Sequence, residues 1–181
     1  MKSALVVIDV QKGLFEPEPA PFDADLVISR INTLSSRGRK AGVPVVFVQH
    51  ETADGALSHG APGWELDPRL QVAPGDHLIR KTTPDSFLRT RLTELLTKLE
   101  ATHLILCGYA TEFCVDTTAR RAAGLKYHVT LAADAHTTHD KAHAPADAIR
   151  AHHNATLPAI GSYGVPIDAI LSRDIVFNEG A

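Results

Sequence analysis

With 181 residues, 44% of them apolar and 22% charged, the chain has ordinary globular composition, which excludes disordered and fibrous classes and leaves room for one well-filled core rather than two. A formal net charge of −3 gives no electrostatic case for nucleic acid or an anionic membrane as the main partner. Two cysteines, an amino-terminal MKSALVVIDV that reads as a strand rather than a secretion leader, and no apolar run of membrane-spanning length predict free thiols in a cytoplasmic, single-domain protein.

In chain order, Ala4 to Ile8 is a continuous β-branched run, as expected of a strand buried on both faces, and Asp9 follows it. Leu26, Ile28, Ile31 and Leu34 mark an amphipathic helix from about Asp23 to Lys40, with Gly42 near its end. Val43 to Val48 predicts the second strand. The segment from Thr52 to Asp76 is irregular, with four glycines, three prolines and the only tryptophan, Trp64. A loop of that length is either functional or a packed surface excursion, and both readings stand here. His77 to Ile79 predicts a third strand, followed by Arg80 and Lys81. Phe87, Leu88, Leu92, Leu95, Leu96 and Leu99 follow a helical period. His103 to Cys107 predicts the fourth strand, broken at Gly108, and a helix opens at Thr111 and stops at Gly124. Tyr127 to Leu131, a helix from Pro145 to Leu157, and a sixth strand at Ile175 to Phe177 complete the pattern.

Strands alternating with helices predict an α/β, doubly wound, mostly parallel sheet of Rossmann-like type, with right-handed crossovers and helices on both faces. For a strand order of 3-2-1-4-5-6 the reversal lies between strands one and four, where ligands bind in such sheets. Asp9 ends strand one, Lys81 follows strand three and Cys114 follows strand four, so topology gathers all three at one edge. A thiol in the first turn of a helix and near an ammonium is expected to ionise more easily than a free cysteine. Asp9 is placed to take the thiol proton and return it to a leaving amine, and turn N–H groups between Gly108 and Cys114 to hold an oxyanion. That set describes acyl transfer through a thioester. Cys107, inside an apolar strand, reads as a small buried hydrophobe, and the gap between the cysteines fits no zinc motif.

The segments ALVVIDVQKGLF, RKTTPDSF and GYATEFCVDTTARRAAGLKYHVTLAADAHTT resemble the isochorismatase-like cysteine hydrolase superfamily, which includes nicotinamidases and N-carbamoylsarcosine amidases. The resemblance implies a catalytic triad of Asp9, Lys81 and Cys114. It also implies a cis peptide between Tyr109 and Ala110, with the N–H groups of Ala110 and Cys114 forming an oxyanion hole. It further implies a small-molecule substrate and a homodimer or larger assembly. Phe15, His50, Trp64, Phe87 and Tyr109 are candidates for the substrate wall. Metal-bearing nicotinamidases carry a compact Asp-x-His pattern after strand two. This chain has Gln49, His50 and Glu51, then Asp54 and His59, so no metal or other cofactor is expected. The leading expectation is cleavage of a C–N bond in a small amide or ureido compound. The alternatives are a metal-assisted nicotinamidase and a binding member that uses the same pocket without turnover. His136, His139 and His143, with Asp134 and Asp140, match no ligand motif and read as surface and capping groups.

Overall fold

The computed structural model describes residues 1–177. Six parallel strands form one sheet in the order β3-β2-β1-β4-β5-β6. They are β1 (Ser3–Ile8), β2 (Val45–His50), β3 (His77–Lys81), β4 (His103–Tyr109), β5 (His128–Thr137) and β6 (Ile167–Ile170). Five helices accompany them: α1 (Lys12–Phe15), α2 (Ala24–Lys40), α3 (Leu92–Lys98), α4 (Asp116–Gly124) and α5 (Ala146–Thr156). Alternation along β1 sorts the core into two layers, because successive side chains of a strand leave opposite faces. Ala4, Val6 and Ile8 pack with Leu92 and Leu96 of α3 and with Ala119, Ala122 and Ala123 of α4. Leu5 and Val7 pack on the other side with Val27, Ile28, Ile31 and Leu34 of α2. Both faces of the central strands are therefore dry, which is why their sequences read as unbroken apolar runs.

The strand order is the expected 3-2-1-4-5-6, and most strands run further than their apolar cores. β2, β3, β4 and β5 each extend two or more residues toward their carboxyl ends, into polar positions such as Gln49, His50, Lys81 and His136. The sixth strand is Ile167–Ile170, paired with β5, and not Ile175 to Phe177. Asp168 interrupts the apolar pattern of this four-residue edge strand, where it accepts a hydrogen bond from His128 Nε2 at 2.8 Å. Ile175 and Phe177 are apolar for a different reason: they pack against the α2 layer. The Arg37 guanidinium ties that segment down by donating to the carbonyls of Ser172 and Ile175.

The periodic stretch from Phe87 to Leu99 is helical only over Leu92–Lys98. Arg89 lies in the left-handed region, at φ 58°, and Asp85 and Thr90 satisfy backbone N–H groups of Phe87 and Leu92 through their side chains. Those local bonds compete with helix over the first part of the stretch. The segment from 52 to 76 is folded down rather than loose. A short 3₁₀ turn at Pro62–Trp64 is packed so tightly that a Cβ on Gly63 would come within 2.6 Å of the Ala56 carbonyl oxygen of the same segment and 3.2 Å of Gly13 Cα in α1.

Candidate active site

The carboxyl edge of the sheet is built by three strand ends. The backbone of Asp9 turns sharply out of β1 at φ 52°, a left-handed conformation that aspartate tolerates better than most residues. Its N–H donates to Val48 C=O at 2.9 Å. Next to it, Gly108 of β4 passes so near β1 that a Cβ there would stand 2.1 Å from the Ile8 carbonyl oxygen. Only glycine fits that approach, which brings the turn carrying Cys114 alongside Asp9. Lys81 is the last residue of β3, and alternation sends it inward while Leu78 and Arg80 face out.

The three side chains meet. Lys81 Nζ is 2.6 Å from Asp9 Oδ2 and 3.2 Å from Cys114 Sγ. Two further acceptors surround the same nitrogen, His50 Nδ1 at 3.2 Å and Thr83 C=O at 3.1 Å. The Lys81 and Asp9 side chains are only 0% and 2% exposed, so this ion pair works with little solvent screening. Asp9 Oδ1 is buried and has no hydrogen-bond partner among the described residues. One carboxylate oxygen is thus committed to the lysine and the other is free to take a proton.

Burial pushes the Asp9 carboxyl up from its ordinary value, against the downward pull of Lys81. The Cys114 thiol is pushed up to about 12, first by burial and then by the Asp9 carboxylate, with Lys81 only partly opposing. Burial thus works against the easy ionisation expected of this thiol. Cys114 also does not open a regular helix. It is the fourth residue of a widened turn, Thr111–Val115, in which Val115 N–H reaches back five residues to Ala110 C=O at 3.1 Å. Turns of this kind recur at functional positions. The peptide bond between Tyr109 and Ala110 is cis, and the Ala110 N–H donates to no main-chain carbonyl among the described residues.

Of the five residues proposed for the substrate wall, His50 is in contact with Lys81, and burial followed by the nearby ammonium lowers its pKa. Phe15 and Tyr109 meet edge to face, with ring centroids 5.7 Å apart, and the Tyr109 hydroxyl is 2.9 Å from His139 Nδ1. Trp64 is tied in through its carbonyl, which accepts from Gln11 Nε2 at 2.8 Å and Gln49 Nε2 at 3.0 Å. Its ring lies edge-on to His59. Phe87 is buried in the α3/α4 layer of the core, against which Cys114 also packs, and it stacks on Tyr127 with ring centroids 5.9 Å apart.

Several neighbours carried no sequence signal of their own. Gln11 clasps both main-chain groups of His50, accepting from its N–H at 2.8 Å and donating to its C=O at 2.9 Å. Glu112 accepts from Thr138 Oγ1 at 2.9 Å and pairs with Lys141 at 3.4 Å. Phe113, beside the thiol, is 53% exposed, with the Lys141 ammonium 5.5 Å from its ring centre. Asp140 and Asp134 do cap, holding the N–H groups of Ala146 and Ser172. His136, in contrast, is fully buried within β5. Among the described residues no group of three or more histidine, cysteine, aspartate or glutamate side chains is arranged to hold a metal ion, and no helix is long and apolar enough to cross a membrane.

A doubly wound parallel sheet, with an Asp–Lys–Cys cluster closed into its switch-point edge, defines the class of protein. The isochorismatase domain model matches residues 3–160, and the chain belongs to that family. It is 41% identical over 143 residues to a streptothricin hydrolase of Streptomyces noursei, a match covering 78% of this chain and 52% of that relative. The chain thus spans about half the length of that protein. A ureidoacrylate amidohydrolase of Caulobacter segnis is 28% identical over 170 residues, covering 74% of this chain and 71% of the relative. A crystal structure of an isochorismatase family protein superimposes with a TM-score of 0.86 at 34% identity, covering 93% of this chain and 98% of the other.

Proposed function

We propose that the protein is a cysteine hydrolase that cleaves a C–N bond of a small amide or ureido substrate through a thioester on Cys114. The observation that carries the reading is one lysine nitrogen 2.6 Å from Asp9 Oδ2 and 3.2 Å from Cys114 Sγ in a closed site. Because the resting thiol is held protonated, sulfur attack and proton loss belong to one event. Asp9 Oδ1 takes the thiol proton as Sγ bonds to the carbonyl carbon, and the C=O electron pair moves onto oxygen. The N–H groups of Ala110 and Cys114 are the donors assigned to that oxyanion. Collapse breaks the C–N bond, and Asp9 passes its proton to the departing nitrogen. Water then attacks the thioester, giving its proton to Asp9, and the thiol re-forms as the acid leaves.

Burial that raises the Asp9 pKa makes it a better proton acceptor for this cycle. An ammonium has three N–H donors, and here four acceptors crowd around it. A neutral thiol is the weakest of the four and gains the donor as negative charge grows on sulfur. Lys81 thereby favours the attacking state over the resting one, the direction that accelerates a reaction. The reaction is assigned without a metal, because the nearest imidazole nitrogen, His50 Nδ1, already faces the Lys81 ammonium, whose charge opposes a cation there.

The substrate class is tested with a panel of amides and ureides that includes streptothricin, ureidoacrylate and nicotinamide. Amine or ammonia release, unaffected by chelator, and a mass increase on Cys114 matching the acyl group are expected. Undiminished turnover in Cys114→Ala would exclude the mechanism.

A further inference from the structure

We propose that His136 is a positioning residue that holds the turn bearing Cys114 in place through the hydroxyl of Thr111. The inference rests on the nucleophilic role assigned to Cys114 above. Thr111 opens the Thr111–Val115 turn and is fully buried, as is His136. Thr111 Oγ1 lies 2.9 Å from His136 Nδ1, and His136 Nε2 lies 2.8 Å from Asn154 Oδ1. The far end of the chain fixes every proton in it. Asn154 Nδ2 donates to the Ala133 carbonyl at 2.8 Å, so its Oδ1 must be the atom facing His136. An amide oxygen only accepts, so His136 carries its proton on Nε2 and presents a lone pair at Nδ1. Thr111 must therefore donate to it. One arrangement of hydrogens satisfies the whole series, and it runs from α5 through β5 to the nucleophile's turn.

Thr138 and Lys141 hold the turn from outside through Glu112, and the His136 contact adds an anchor at its first residue. No side chain caps its start at Ala110, and the Ala110 carbonyl is shared by the N–H groups of Phe113 and Val115, each at 3.1 Å. The Asp116 N–H closes the turn on the carbonyls of Thr111 and Phe113, so its main-chain bonds are shared ones, and a shift of about 1 Å at a reacting atom costs on the order of 10²-fold in rate. Burial lowers the His136 pKa to about 4, so the ring stays neutral, as this arrangement requires, across the physiological range. No part of the series touches Lys81 or Asp9, so its influence on chemistry passes through the position of the turn.

The test compares Thr111→Val, which keeps the shape and removes the donor, with Thr111→Ser, which restores it. In Thr111→Val, kcat should fall about 10- to 100-fold with KM nearly unchanged, and the rate of iodoacetamide labelling of Cys114 should change severalfold. Thr111→Ser should recover both. In the unsubstituted protein, ¹⁵N NMR of the His136 ring should show the Nε2–H tautomer; in Thr111→Val the Nδ1 resonance should move. Asn154→Ala, which removes the acceptor from a half-buried position of α5, provides a second variant and should reproduce the labelling change. Unchanged labelling and kcat in Thr111→Val, or equal impairment of the Val and Ser variants, would overturn the proposal. Labelling and NMR need no substrate, so they decide the role of His136 even if Cys114→Ala retains turnover and the thioester reading fails.

Discussion

At the amino ends of the strands, Ser3, His103, Thr130, His128 and Asp168 form a polar patch in which the groups satisfy one another. His103 is bonded through both ring nitrogens, to Ser3 Oγ at 2.9 Å and to Thr130 Oγ1 at 2.8 Å, and His128 is bonded to Asp168. At the carboxyl ends, Asp9 Oδ1, Glu112 Oε2 and Trp64 Nε1 are buried with no partner among the described residues, and four acceptors surround the nitrogen of Lys81. A closed set of hydrogen bonds has nowhere to send a proton and contributes to specificity of folding. A set left open in a dry pocket costs stability and retains the capacity to react. The same side-chain types thus serve structure at one edge and chemistry at the other, and the difference lies in which valences are left unfilled.

Substitutions should separate the two edges. The largest effect is expected for Asp9→Asn, which keeps an acceptor for Lys81 and removes the proton carrier. Turnover should drop about 10²- to 10⁴-fold with circular dichroism unchanged; a rate within tenfold of the parent would place the base elsewhere. Next is the thiol itself. With its pKa held up to about 12, labelling of Cys114 by iodoacetamide should be slow at neutral pH and rise steadily through pH 10. Lys81→Met should slow it further by removing the favourable charge. Rapid labelling at pH 7 in the parent protein would show that a resting thiolate exists after all.

The smallest effect is expected at the amino edge, where His103→Gln should leave turnover within about twofold, as for a substitution remote from the reacting atoms. The pKa of His103 is lowered from 6.5 to about 4, first by burial and then by His128, so folding favours its neutral form. That contribution is complete above about pH 6.5 and is lost as the pH falls toward 4. Partial exposure holds it to about 1 kcal/mol. His103→Gln should accordingly flatten the fall in thermal midpoint between those two pH values, and an unaltered slope would assign the acid sensitivity to other groups, the buried His136 first.

The central strands were legible in the sequence because β1, β2 and β4 are buried on both faces and so appear as unbroken apolar runs. β6 was not, because four residues with Asp168 among them carry no such signature, whereas Ile175 and Phe177 are apolar for packing against α2. Asp9, Lys81 and Cys114 were legible as a group because topology, rather than spacing, brings strand ends together. Their acidities were not. Proximity to an ammonium was visible in the order of the strands, but the burial that outweighs it arises only when the ends of β1 and β3 and the Thr111–Val115 turn are packed together. Phe87 shows the same limit, because an aromatic residue shortly after a site lysine looks the same in sequence whether it lines a pocket or fills the core. His136 was read as a surface group because β5 continues beyond its apolar stretch, and extension into polar residues is invisible to periodicity.

The strand that delivers Lys81 is also one of the sheet's two edge strands, five residues long and bonded on one side only, to β2. A slip of one residue there would exchange Lys81 for Arg80, turning the lysine into water and a guanidinium inward. Edge strands open more readily than central ones, so the site draws its cation from one of the least protected parts of the sheet. Heating should therefore silence this protein before it melts it, with the core still folded around a thiol that has lost its counterpart.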